Sequence, residues 1–177
     1  FMHPILVIRH AEQEDVSHDM APLSQYGLQQ AKALREKIVL FFSLNQKKAK
    51  ITGITSCTSR SYHTALYAIG FYDTKETPIA IPWVDFSLSP DLSDNLAKDI
   101  EEGLKELVDI SIEPKNFLGK TKDLVVVVAH SDTIFNIVKR IAQALSLSFN
   151  PSKQEEIGYC EGFLLSDSKV EKWPNPK

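Results

Sequence analysis

The sequence predicts an α/β fold: three α/β/α layers, in which a largely parallel sheet of about five to six strands carries helices on both faces. The first observation behind this is a pair of unbroken apolar runs, Ile5-Leu6-Val7-Ile8 and Leu124-Val125-Val126-Val127-Val128-Ala129. Continuous β-branched runs without polar alternation belong to strands buried on both faces, the habit of parallel sheets. The second is that each run ends on a histidine, His10 after Arg9 in one case and His130 in the other. The third is the steady alternation of strand-like and helix-like patterns, with no repeat, linker or low-complexity segment to interrupt it. One domain spanning 1–177 is the expectation.

Taken in order, residues 5–8 form the first strand and residues 12–22 a polar loop with Glu12, Glu14, Asp15, His18 and Asp19. Ser24 is placed to cap a helix, because Leu28, Ala31, Leu34, Ile38 and Phe41 follow it at helical spacing. A short β-branched strand over 51–56 leads at once into a helix over 59–68. Residues 79–84 read as a strand near an edge, the place where Pro82 is tolerated. A loop over 85–93 precedes an amphipathic helix over 94–109 with Leu96, Ile100, Leu104, Leu107 and Val108 on one side and Gly103 within it. The valine strand follows, then a helix over 133–147 that turns Ile134, Ile137, Val138, Ile141 and Leu145 inward. An edge strand over 156–165 closes the chain, punctuated by Gly158 and Gly162.

Composition removes several function classes. With 177 residues, 43% of them hydrophobic, the chain can bury a core, and a formal net charge of −3 argues against nucleic acid or an anionic membrane as partner. Lys47-Lys48-Ala49-Lys50 is the nearest approach to a basic run and reads as a solvated helix end. No stretch reaches the ~20 apolar residues of a membrane span, and the N-terminus lacks the pattern of a signal peptide. Two distant cysteines, Cys57 and Cys160, suit a reducing compartment, so a cytoplasmic location is expected.

The chemistry is read from the strand ends, because ligands of parallel α/β sheets lie outside the carboxyl ends of the strands. Arg9-His10, Arg60 and His130-Ser131 all stand at strand-to-helix transitions, and if those strands are neighbours two arginines and two histidines converge. Such a cluster suits a multiply charged anion: arginine offers a rigid fork of donors that matches phosphate, and neutral imidazole is a nucleophile near pH 7. Other chemistries fail on spacing. Six positions after Cys57 stands His63, not the arginine of a cysteine phosphatase loop. The five histidines lack the close spacing of a zinc site, and the glycines form neither a P-loop nor a dinucleotide fingerprint. No metal and no cofactor is expected.

At this point the sequence resembles the histidine phosphatase superfamily, the phosphoglycerate-mutase-like phosphatases. Leu6-Val7-Ile8-Arg9-His10-Ala11-Glu12 is similar to the "RHG" or "RHA" signature, and Pro22-Leu23-Ser24-Gln25-Tyr26-Gly27-Leu28-Gln29-Gln30-Ala31 to the "LTxxGxxQA" helix start. Ser56-Cys57-Thr58-Ser59-Arg60-Ser61-Tyr62-His63-Thr64-Ala65 resembles the "SSPxxRAxQTA" segment, and Val127-Val128-Ala129-His130-Ser131 the "VGH" strand end. The resemblance implies that His10 is the phosphorylated nucleophile, with Arg9, Arg60 and His130 completing the catalytic pocket. Arg9, Arg60 and Ser131 are the expected substrate-binding residues. The "RHAE" form and short chain look most like the small SixA-type phosphohistidine phosphatases.

Departures from the family pattern bear on activity. Ala11 and Gln13 stand where mutase-type members carry Gly and Thr, and the glutamate acid/base of those members aligns with Pro90, beside Asp91. Asp91 is the candidate acid/base, and mutase activity is disfavoured. Cys57 and His63 replace a Ser or Pro and a Gln, as contributors to packing and to the contacts behind the pocket. The expected function is hydrolysis of a phosphoryl group through a covalent phosphohistidine on His10, with a phosphorylated small molecule or phosphoprotein as partner. The alternatives are a phosphate- or phosphoprotein-binding module with little turnover and a mutase-type phosphomonoesterase.

Overall fold

The computed structural model describes residues 3–14, 20–82, 94–116, 119–151 and 156–174. In chain order the elements are β1 (Ile5–Arg9), α1 (Gln25–Phe41), β2 (Ile51–Thr55), α2 (Ser59–Ile69), α3 (Phe71–Thr74), β3 (Ile79–Ala80), α4 (Asp94–Ile112), β4 (Leu124–Ala129), α5 (Ile134–Ala144), β5 (Gly162–Leu165) and β6 (Val170–Trp173). The strands form one sheet in the order β3-β2-β4-β1-β5-β6. The first four in that order run parallel, while β5 lies antiparallel to β1 and β6 antiparallel to β5.

Side-chain alternation splits the core between two faces. Ile5 and Val7 of β1 with Val125 and Val127 of β4 meet Ile100, Leu104 and Leu107 of α4 and Ile134, Ile137, Val138 and Ile141 of α5. Leu6, Ile8, Val126 and Val128 point the other way, onto Leu34 and Ile38 of α1 and Ala65, Ala68 and Ile69 of α2. Both faces of β1 and β4 are thus apolar for a packing reason, and the three-layer reading holds.

Helix α1 starts where the sequence places it. Ser24 Oγ accepts the Gly27 N–H at 2.9 Å and donates to the Glu12 carboxylate at 2.8 Å, tying the helix start to the loop after β1. Gly27 is needed for that contact, since a Cβ there would lie 2.0 Å from the Glu12 carbonyl oxygen. Ala31, Leu34 and Ile38 are buried as expected. Phe41 is not: it is 53% exposed and covers the edge of the core, its ring meeting those of Phe42 and buried Trp173.

Other expectations are corrected. The strand over 79–84 pairs only through Ile79–Ala80; its edge position agrees with Pro82, and residues 83–84 lie outside the described residues. The final strand is shorter than residues 156–165 and is not an edge, because β6 pairs with its free side. Helix α4 runs to Ile112 rather than 109, and α5 is shorter than 133–147. The small helix α3 was not anticipated. Among the described residues no helix is long and apolar enough to cross a membrane.

Candidate active site

The site is built by the register of three adjacent parallel strands. Arg9 pairs with Ala129, so the next residues, His10 and His130, emerge side by side at the carboxyl edge, with the His10 N–H on the Ala129 carbonyl at 3.1 Å. Their rings meet edge to face with centroids 5.1 Å apart. Thr55 pairs with Val128, which brings Ser56 to the same edge and starts α2 there, with Arg60 in its first turn.

His10 is 5% exposed. Its Nδ1 lies 2.7 Å from the Ala11 carbonyl, which can only accept, so Nδ1 carries the hydrogen. The Arg60 Nε–H donates to the opposite nitrogen, Nε2, at 3.3 Å. Both partners therefore require the same tautomer, with the Nε2 lone pair turned toward the guanidinium. Burial, foremost, pushes the imidazole down to about 3; the Ala11 bond works the other way, and His130, Arg60 and Arg9 add to the depression by repelling a positive ring. His10 is neutral at physiological pH. A neutral imidazole with a defined lone pair is a nucleophile.

The arginines are held from different sides. Thr64 on α2 donates to the Arg60 carbonyl at 2.7 Å and accepts the Ala11 N–H at 3.0 Å, which fixes the start of α2 against the loop beyond β1. Arg9 donates to the Ile157 carbonyl at 3.0 Å, and its guanidinium lies 4.0 Å from the centroid of the Tyr159 ring. That ring also stands 5.9 Å from the His10 ring. The segment before β5 thus forms one wall of the site.

Around His130 a set of buried hydroxyls is hydrogen-bonded in series. Its Nε2 is 3.0 Å from Ser56 Oγ, which is 3.2 Å from Thr58 Oγ1, and Thr58 donates to Ser61 Oγ at 3.0 Å. Its backbone N–H donates to Thr133 Oγ1 at 3.2 Å.

The structure therefore brings together Arg9, His10, Arg60 and His130. Ser131 is exposed in the turn that leads into α5. Asp91, the candidate acid/base, lies outside the described residues, as do His18 and Asp19. Sequence reasoning missed Ser56, Thr58, Thr64 and Tyr159. Ser56 was findable, because it follows the last residue of a β-branched strand as His10 and His130 do; Tyr159 carried no local signal. Burial pushes the Cys160 thiol up to about 12, and it is the Cys160 backbone N–H that donates to the Arg9 carbonyl, at 3.0 Å. Among the described residues no three His, Cys, Asp or Glu side chains are grouped to hold a metal ion.

No family model matches the sequence, and no curated protein matches it. Solved structures do match in fold. The protein histidine phosphatase SixA complexed with tungstate aligns over 96% of this chain and 93% of its own, with TM-score 0.55 and 14% identity. A mycobacterial glucosyl-3-phosphoglycerate phosphatase in complex with VO3 aligns over 97% of both chains, with TM-score 0.57 and 17% identity. A phosphoglycerate mutase from Plasmodium falciparum aligns over 99% and 91%, with TM-score 0.54 and 13% identity. The chain has the fold these proteins share, that of the histidine phosphatases. Within that fold, SixA phosphohistidine phosphatases stand beside phosphoglycerate-mutase-like enzymes among its neighbours.

Proposed function

We propose that this protein is a phosphatase that works through a covalent phosphohistidine on His10. One observation carries the reading: a buried, neutral imidazole whose Nδ1 is tied to the Ala11 carbonyl and whose Nε2 lone pair faces Arg60, beside His130. In the first step Nε2 attacks phosphorus in line, the bond from phosphorus to the leaving group breaks, and the Nδ1–H on Ala11 stabilises the imidazolium character that develops. Arg60 and Arg9 supply donors to the equatorial oxygens as these gain charge. In the second step water attacks phosphorus, the N–P bond breaks, and orthophosphate leaves. A phosphoryl group entering the site competes with Nε2 for the Arg60 N–H, which releases the lone pair for attack.

Two of the neighbours are named as complexes with oxyanions, tungstate and VO3, which supports reading this chain as one that binds a phosphoryl group. The substrate class we favour is phosphohistidine or another phosphoryl group with a good leaving group. Imidazole, with an ordinary pKa of about 6.5, departs more readily than an alkoxide, and in the sequence Pro90 rather than a glutamate aligns with the acid position of mutase-type members. The phosphorylated partner is a protein or a small molecule, and Asp91 is the donor to test.

The deciding experiment is p-nitrophenyl phosphate turnover by wild type and His10→Ala, with melting temperature measured on both. Loss of more than the ~10²–10⁴-fold typical of a positioned acid or base, with the fold retained, is expected. Activity above a hundredth of wild type would sink the nucleophile assignment. Phosphate binding without turnover in wild type would make the protein a binding module. Comparing kcat/KM across esters of rising leaving-group pKa, with and without Asp91→Asn, then tests the donor: a steep decline unchanged by the substitution excludes Asp91.

A further inference from the structure

The hydroxyls behind His130 form a chain whose hydrogen-bond polarity follows once Thr58 donates to Ser61. Ser56, Thr58 and Ser61 are all buried, at 0%, 3% and 0% exposure, and each hydroxyl owns one hydrogen. Thr58 donates its hydrogen to Ser61 Oγ, so toward Ser56 it can only accept. Ser56 must then donate to Thr58, which spends its own hydrogen, and toward His130 it too can only accept. With that polarity, the hydrogen between Ser56 and His130 is left to Nε2 of the imidazole.

We propose that Ser56, aligned by Thr58 and Ser61, is a positioning residue that pins the Nε2–H of His130 and so makes Nδ1 the nitrogen at which that histidine gains or loses its proton. The value of such a device rests on the phosphatase reading above. Neutral imidazole exists as two tautomers, and a histidine that serves one proton acceptor site works only in the correct one. A ring beside His10, at 5.1 Å between centroids, that flickered between tautomers would present an N–H or a lone pair unpredictably. The Ala11 carbonyl fixes His10 as the Nδ1–H form, and the hydroxyl chain fixes its neighbour as the opposite form, Nε2–H. Sequence placement allows this because Ser56 follows β2 directly while Thr58 and Ser61 flank the start of α2. Thr58 is the N-cap residue of α2 yet makes no side-chain capping bond, so its hydroxyl serves the chain rather than the helix.

The test uses wild type with ¹⁵N-labelled histidine, and follows the two-bond ¹⁵N–¹H pattern of His130 at pH 8.5, above the ordinary imidazole range. The His130 signals are assigned as those missing from His130→Asn. Wild type should show the Nε2–H form. Thr58→Val keeps the shape but removes the acceptor, which frees the Ser56 hydrogen to turn toward His130, and the pattern should shift to Nδ1–H. Thr58→Ser should restore Nε2–H. In turnover, Thr58→Val should lower kcat by about ten- to hundredfold, within or below the ~10²–10⁴ that a positioned acid–base group contributes, and leave KM within about twofold. A wild-type His130 in the Nδ1–H form, or a Thr58→Val pattern identical to wild type, would overturn the proposal. The tautomer measurement needs no turnover, so a protein that is no phosphatase at all would still answer it.

Discussion

Acid should destabilise this protein through His10 in particular, by an amount that follows from its surroundings. The ring is 5% exposed and its proton affinity is pushed down to about 3 from the ordinary 6.5, first by burial and then by the neighbouring positive groups. The unfolded chain takes up a proton near pH 6.5, whereas the folded state refuses it until about pH 3. The folded state is therefore unaffected above pH 6.5 and loses ground progressively as the pH falls toward 3, at up to about 1.4 kcal/mol per pH unit. Allowing for partial titration near 6.5, the loss between pH 6.5 and 4.5 comes to about 2 kcal/mol, a sizeable share of a typical 5–15 kcal/mol stability. His10→Asn keeps an N–H within reach of the Ala11 carbonyl and does not titrate. Urea unfolding of both proteins at pH 6.5, 5.5 and 4.5 should show wild type losing about 2 kcal/mol more than the variant. His3, whose proton affinity burial also lowers, is common to both and cancels. Parallel stability curves would refute the argument, since His10 would then be solvated or paired as a cation.

Three further outcomes are expected. Arg60→Lys keeps the charge but loses the planar fork and the Nε–H on His10, so turnover should drop at least about tenfold and vanadate inhibition weaken; wild-type kinetics would place Arg60 outside the phosphoryl site. Tyr159→Leu removes the ring 4.0 Å from the Arg9 guanidinium, a contact of ~0.5–2 kcal/mol, and should weaken vanadate binding by about two- to thirtyfold, with no change if Arg9 is held by Ile157 alone. With a thiol reagent at pH 8, exposed Cys57 should react promptly and Cys160, pushed up to about 12 by burial, only after unfolding; two fast thiols would contradict the packing around Cys160.

The elements were legible wherever one local rule decided them. Unalternating valine and isoleucine runs marked β1 and β4, and Ser24 with Leu34 and Ile38 marked α1, because burial on two faces or on one stripe writes its own period into the chain. His10 and His130 stood out for the same reason, each lying at the point where an apolar run stops, while Arg60 stood out at the helix start that follows β2. Phe41, β6 and α3 were misread or missed because their environment comes from distant segments; it is Trp173, far along the chain, that Phe41 packs against. Strand order was beyond local rules altogether. Only the folded chain inserts β4 between β1 and β2, and that insertion sets His10 beside His130 and Ser56 beneath it. Tyr159 reaches Arg9 because β5 returns antiparallel to β1, a pairing chosen by the packing of the whole sheet edge. The sequence by itself determined which residues can do chemistry, since residue type and strand end are local facts. Which of them meet depended on contacts closed across the sheet between residues far apart in the chain.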